Sequence, residues 1–144
     1  IPTAKAGKKR GQALRLGGGA TLRALAVGTR GAVMLLEWDQ FRLLLPCGLD
    51  RAALEDLHAG QDIGPVTALL LAESGYAPLN PPGWIEALNP QLILLSVSIS
   101  DPQGLPNRET IEAAAPFSTL RTDLNGWIEL STDGRQLWVR AENP

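Results

Sequence analysis

One histidine and one cysteine are the whole supply of imidazole and thiol in this chain of 144 residues. Zinc sites take three or four N, O or S ligands, typically with several histidines among them, so the count argues against a zinc hydrolase of the usual kind. No intrachain disulfide can form. Cys47 closes the apolar run from Phe41 and reads as a buried, inert thiol. His58 falls near the end of a predicted helix, where a histidine usually serves as a surface residue or a partner of the helix dipole. No serine stands in a G-x-S-x-G elbow. Glu73-Ser74-Gly75 comes nearest, so a Ser-His-Asp triad lacks its geometry. No apolar run approaches the roughly eighteen residues that span a bilayer, and no signal-peptide pattern opens the chain. It starts at Ile1 and reads as a piece of something longer.

Charge is modest and unevenly placed. Charged residues make up 19% against 44% apolar, and the net charge is -2, which describes a folded domain without the basic excess of a general nucleic-acid binder. Lys5, Lys8, Lys9, Arg10 and Arg15 nevertheless cluster ahead of the first acidic residue, Glu37. Residues 1–12 are read as a basic, flexible N-terminal segment, either a solvated terminus or a contact for phosphate or lipid headgroups. Residues 13–144 form one domain.

The remaining text alternates in a readable order. Residues 13–16, 21–27, 32–38 and 41–45 predict four strands joined by turns. The glycine triplet Gly17-Gly18-Gly19 leads into another strand, not a helix, so it makes a hairpin and no phosphate loop. Asp50 caps a predicted helix over 51–58, with Leu54 and Leu57 on one face. Residues 66–72 and 92–97 are continuous apolar runs of the kind covered on both sides. A short helix runs from Asn80-Pro81-Pro82 to Leu88. Pro106-Asn107 caps another over 108–115, a strand follows over 117–122, and residues 123–126 turn. Asp133-Gly134 joins a final hairpin. The economical architecture is an α+β or α/β mixed sheet with helices on one face. That arrangement leaves the second face with nothing to cover it, and a contiguous apolar face is seldom bare surface.

Asp39, Asp50, Glu55, Asp56, Asp62, Glu73, Asp101, Glu109, Glu112, Asp123 and Asp133 fall at turns, caps and helix faces, each with an ordinary structural explanation. A magnesium site built from two of them remains open, although nothing in their spacing favours it.

From about Ala13 onward the order of segments resembles the C-terminal half of the metallo-β-lactamase-like domain of the ComEC family, the DNA-uptake channel proteins of natural competence. The most specific stretch runs from Leu120 through Arg121-Thr122-Asp123-Leu124-Asn125-Gly126-Trp127-Ile128 to Asp133-Gly134. It is similar to the family's R-T-D-x-x-G-x-I segment and the D-G hairpin that ends the domain. Where the family has a metal-binding aspartate after L-L-x-G, this chain has Gly48. The family's H-H-G-S stands here as Glu73-Ser74-Gly75-Tyr76, and Leu105 replaces the histidine of the later H-P. The upstream H-x-H-x-D-H motif has no counterpart.

The resemblance therefore implies half of an αββα sandwich with its ligand positions (Gly48, Glu73, Ser74, Leu105) overwritten, and hence no enzyme, no metal and no cofactor. It implies a scaffold or interaction domain of a competence-type DNA-uptake protein, a soluble part of a bacterial membrane protein with its side of the membrane left open. The alternatives are a residual metal-dependent nuclease or a stand-alone protein-binding domain. Arg121, Thr122, Asp123 and Asn125 are the candidates for a retained contact, weak DNA contact included, with turn stabilisation as the competing role. The uncovered sheet would pair with a second copy, as a homodimer, or with an upstream half-domain.

Overall fold

The computed structural model describes residues 11–60 and 63–144. Lys5, Lys8, Lys9, Arg10 and the side chain of His58 lie outside the described residues. Four strands, β1 (Ala13–Gly17), β2 (Ala20–Val27), β3 (Ala32–Trp38) and β4 (Phe41–Cys47), form an antiparallel meander. Gly17, Gly18 and Gly19 all have positive φ, a region that glycine enters without a Cβ penalty, and this reverses the chain between β1 and β2. Trp38 Nε1 donates to the Gly18 carbonyl at 2.9 Å and pins that turn. Gly11 and Gln12 already exchange hydrogen bonds with Ala24.

Beyond β4 the connections become crossovers. They run through α1 (Arg51–Gly60), β5 (Ala68–Leu70), α2 (Pro82–Leu88), β6 (Leu92–Leu95), α3 (Arg108–Ala114) and β7 (Thr119–Arg121). The seven strands stand in sequence order in one sheet, antiparallel up to β4 and parallel from β4 to β7. A single helical turn, α4 (Thr122–Asn125), precedes the hairpin β8 (Ile128–Thr132) and β9 (Leu137–Ala141), which forms its own two-stranded sheet. The fold is thus the mixed α+β sheet with helices on one face that the sequence predicts. No described helix is long and apolar enough to cross a membrane.

Strand register separates the two faces. On one, Leu35, Leu44, Leu69 and Ile93 line up across β3 to β6 and are fully buried. Leu54 and Leu57 of α1, Trp84, Ile85 and Leu88 of α2, and Ala114 of α3 join them in one core. Each buried leucine or isoleucine among them contributes about 1.5–3 kcal/mol by leaving water. On the other face, Leu14, Leu22, Leu36, Leu43, Ala68 and Leu92 form a single cross-strand row from β1 to β6.

That second face is not wholly uncovered, contrary to the expectation from sequence. The terminal hairpin lies across part of it. Its tip is held where the Gly134 carbonyl accepts the amides of Gln40 at 2.8 Å and Phe41 at 3.0 Å, and Arg135 meets Asp39 at 3.1 Å. Its inward Ile128 and Leu130 share a cleft of about 170 Å³ with Leu70 and Leu94. Phe41, Ala68 and Leu92 are buried beneath it. Among the described residues, only the β1–β4 part of the face has no element lying over it, and its side chains there are partly to fully exposed.

Cys47 also corrects the sequence reading, because it is exposed. Alternation explains it: Pro46 turns toward the core, so Cys47 must turn to the opposite, bare side. The parallel strands stop earlier than their apolar runs, since side chains take over the ladder. Asn80 binds both backbone groups of Ala72, Thr122 Oγ1 binds both of Val97, and Asn125 Oδ1 accepts the Arg121 amide. Residues 122–125 accordingly form a helical turn where a plain turn is predicted. Asn107 occupies the N-cap of α3, but its Oδ1 accepts the Ala77 amide at 2.8 Å instead of capping the helix.

Candidate functional site

In open sheets with parallel strands, the loops at the carboxyl ends of the strands form the crevice where ligands bind. Here those loops follow β4, β5, β6 and β7, and the β2–β3 turn reaches in beside them. Two adjoining clefts result. One, of about 390 Å³, is lined by Arg30, Glu73, Ser74, Tyr76, Asp101 and Leu105 among others. The second, of about 750 Å³, is lined by Asp50, Arg51, Glu55 and Pro81, and shares Arg30, Tyr76 and Leu79 with the first.

The structure brings the residues that the resemblance marks as overwritten ligand positions to this place. Glu73, Ser74 and Leu105 line the smaller cleft, and Gly48 abuts the backbone of Arg30, which borders it. Glu73 (φ 43°) and Ser74 (φ 52°) both adopt the left-handed region, a strained conformation for residues with a Cβ. Asn80, 1% exposed, holds the loop by accepting from the Ala72 amide and donating to the carbonyls of Ala72 and Tyr76, all within 2.8–2.9 Å. The loops after β5 and β6 are tied together at Gly75. Its carbonyl accepts Thr110 Oγ1 at 2.7 Å and the Asn107 amide at 3.1 Å, and a Cβ there would lie 2.6 Å from Pro106.

The polar groups of the cleft are mostly engaged in structure. Arg30 meets Glu73 at 3.4 Å, a solvent-washed pair of small energetic value. Asp101 Oδ1 accepts the amides of Gln103 and Leu105 and closes the loop after β6. Leu105 packs against the core. Gly48 has φ 75°, and a Cβ there would lie 2.6 Å from the Arg30 carbonyl oxygen and 2.8 Å from the Gly31 Cα. The space beside Gly48 is therefore occupied by main chain. Among the described residues, no three His, Cys, Asp or Glu side chains converge as a metal-ligating group would.

Arg121, Thr122, Asp123 and Asn125 form a second cluster at the end of β7. Arg121 makes a two-pronged bond to Asp123, with Nε at 3.0 Å and Nη2 at 2.6 Å from its two oxygens. Thr122 clamps Val97, and Asn125 spans from the Arg121 amide to the Asn143 carbonyl at 2.9 Å each. Arg121 also borders an apolar cleft of about 270 Å³ with Leu95, Ile111 and Phe117, away from Glu73. The hydrogen bonds of this cluster are spent on closing the chain between the sheet and the terminal hairpin.

The Arg121 guanidinium holds the Asp123 carboxyl below its ordinary range, chiefly through their hydrogen bond. A depressed carboxylate adds stability above its unfolded pKa and loses it as pH falls through the folded one. Asp123→Asn should therefore cost about 1–2 kcal/mol at pH 7. The gap from the parent chain should close as pH drops below about 4. Urea titrations of both chains between pH 3 and 7 measure this, and a gap that does not vary with pH would assign the cost to something other than the ion pair.

Sequence reading missed Arg30, which lies in a turn and borders both clefts, and Asn80, visible only as a helix start; Tyr76, at the end of the Glu73–Tyr76 stretch, is part of the resemblance but not taken as a site residue. No motif marks Arg30 or Asn80.

No family model and no curated protein matches the chain. Among solved structures, the chain is similar to a Thermotoga maritima protein assigned as a Zn-dependent hydrolase of the metallo-β-lactamase superfamily, with 16% identity and a TM-score of 0.46. The match covers 77% of this chain and 58% of that one, so the chain spans less than two thirds of the other's length.

Proposed function

We propose that this chain is a non-catalytic interaction domain, half of a metallo-β-lactamase-type sandwich, belonging to a competence-type DNA-uptake protein of a bacterial membrane. The observation that carries the non-catalytic reading is Gly48. The position that resembles the family's strand-end aspartate not only lacks a carboxylate but has main chain where a side chain would go. Leu105, at the position of the family's histidine, offers no donor atom and packs against the core. Glu73 and Ser74 sit in the cleft, but Glu73 turns to Arg30. The assignment to DNA uptake rests on the Arg121–Gly134 stretch and its likeness to the family's closing segment.

A nuclease assay tests the reading. Single- and double-stranded DNA incubated with the chain and Mg²⁺, Mn²⁺ or Zn²⁺ should be cut no faster than in buffer with metal alone. Metal-dependent cleavage that disappears in Asp101→Asn or Asp123→Asn would overturn it in favour of a residual nuclease.

A further inference from the structure

An asparagine followed by glycine is open to attack by its own main chain. The glycine nitrogen, with no Cβ beside it to hinder approach, bonds to the asparagine Cγ, and the side-chain nitrogen leaves as ammonia. Water then opens the cyclic imide to aspartate, or to isoaspartate, whose main chain runs through the side-chain carbons. The chain holds five asparagines, Asn80, Asn89, Asn107, Asn125 and Asn143. Asn80, Asn89 and Asn143 precede proline, which has no amide hydrogen to give up and cannot close the imide. Asn107 precedes arginine, and Asn125 alone precedes glycine.

The fold engages every group that this reaction needs. The Gly126 amide donates to the Thr122 carbonyl at 3.1 Å. Asn125 Oδ1 accepts the Arg121 amide, and Asn125 Nδ2 donates to the Asn143 carbonyl, each at 2.9 Å. The Asn143 amide returns the contact to the Asn125 carbonyl at 3.0 Å. Gly126 turns onto Cγ only when these bonds open. The glycine is itself required, because it has φ 67° and a Cβ there would run into Glu142. The fold thus demands the reactive pair and holds it closed.

We propose that Asn125–Gly126 is a self-modification site kept latent by the turn that Asn125 closes, and that its conversion unties the base of the terminal hairpin. An aspartate at 125 carries acceptor oxygens alone, so the bond to the Asn143 carbonyl is lost. Isoaspartate adds a methylene to the main chain inside α4, and the Gly126 amide no longer meets the Thr122 carbonyl. Either product places a new negative charge two residues from Asp123. The hairpin tip stays joined to Gln40 and Phe41 through Gly134, while its base loosens over Leu70 and Leu94.

Each of the three bonds that block the reaction is worth a factor of about 2 to 12 in the closing equilibrium. Together they slow conversion on the order of a hundredfold against the open chain. Peptide mapping by mass spectrometry tests this on the full chain incubated at pH 8, with and without urea. In urea Asn125 should convert and Asn107 should not; without urea conversion should be about a hundredfold slower. Thr122→Val removes the hydroxyl that clamps Val97 and should speed the native reaction about tenfold. Ile85→Val weakens the core at α2 by a comparable amount and should leave the rate unchanged, because the gate is a local opening. The converted chain, separated by its added charge, should exchange amides faster than the parent in residues 127–141. Equal rates with and without urea, equal acceleration by Ile85→Val, or a converted chain with its hairpin fully protected overturns the proposal. None of these outcomes bears on the nuclease assay.

Discussion

A Gly48→Asp variant is expected to lose about 3 kcal/mol of stability and to gain no affinity for zinc. Two costs combine. The residue sits at φ 75°, where any side chain costs about 1–2 kcal/mol over glycine. Its Cβ would also run into the Arg30 carbonyl and the Gly31 Cα, both main chain, so relief requires the β2–β3 turn to move. Overpacking of that kind adds about 1–3 kcal/mol. Gly31 is bound by the same contact from the other side, since a Cβ there would strike the Cys47 carbonyl. The two glycines let two backbones touch where the resembled family holds a ligand. Equilibrium unfolding in urea, repeated with zinc, reads both parts. A variant as stable as the parent and further stabilised by zinc would mean that the site can be rebuilt by one substitution, and the non-catalytic reading would lose its main support.

Asn80→Ala is expected to cost about as much, roughly 3 kcal/mol, by a different route. The side chain is buried and makes three hydrogen bonds to main chain: from the Ala72 amide, and to the carbonyls of Ala72 and Tyr76. Truncation leaves the Ala72 amide and carbonyl unpaired, while the Tyr76 carbonyl keeps the Leu79 amide at 3.1 Å, and each unsatisfied buried group costs about 1–3 kcal/mol. The same bonds hold Glu73 and Ser74 in their left-handed conformations. Amide hydrogen exchange should therefore rise most in residues 71–80. Loss of stability spread evenly over the chain, with no local excess there, would show that Asn80 is an ordinary core residue and not the clamp of this loop.

The order of elements was legible because it depends on local periodicity. Alternation marked the meander strands, continuous apolar runs marked the doubly covered ones, and proline and asparagine marked the helix starts. What misled was chemistry at the ends. Residues 66–72 read as one strand, yet Asn80 takes the backbone of Ala72 out of the ladder; the same exchange by Thr122 and Asn125 shortens the last two parallel strands. Cys47 was misread because a single apolar run does not say which of its residues turn inward. Around the cleft, the sequence carried Gly48, Glu73, Ser74 and Leu105 through their resemblance to a motif, whereas Arg30 belongs to no motif and enters only by proximity.

The sequence alone determined how few nitrogen and sulfur ligands the chain can offer: one histidine and one cysteine, a supply that no folding can raise. It also determined that the sheet would be largely apolar on both faces, since Glu37 and Arg42 are the only charged residues in β3, β4 and β6. Tertiary structure decided which part of the second face is bare, because the cover comes from a hairpin some ninety residues away in the chain, joined at Gln40, Phe41 and Gly134. It likewise decided that Gly48 is filled space and not a vacant ligand position. A residue's type is local, but the room beside it is set by whatever the rest of the chain places there.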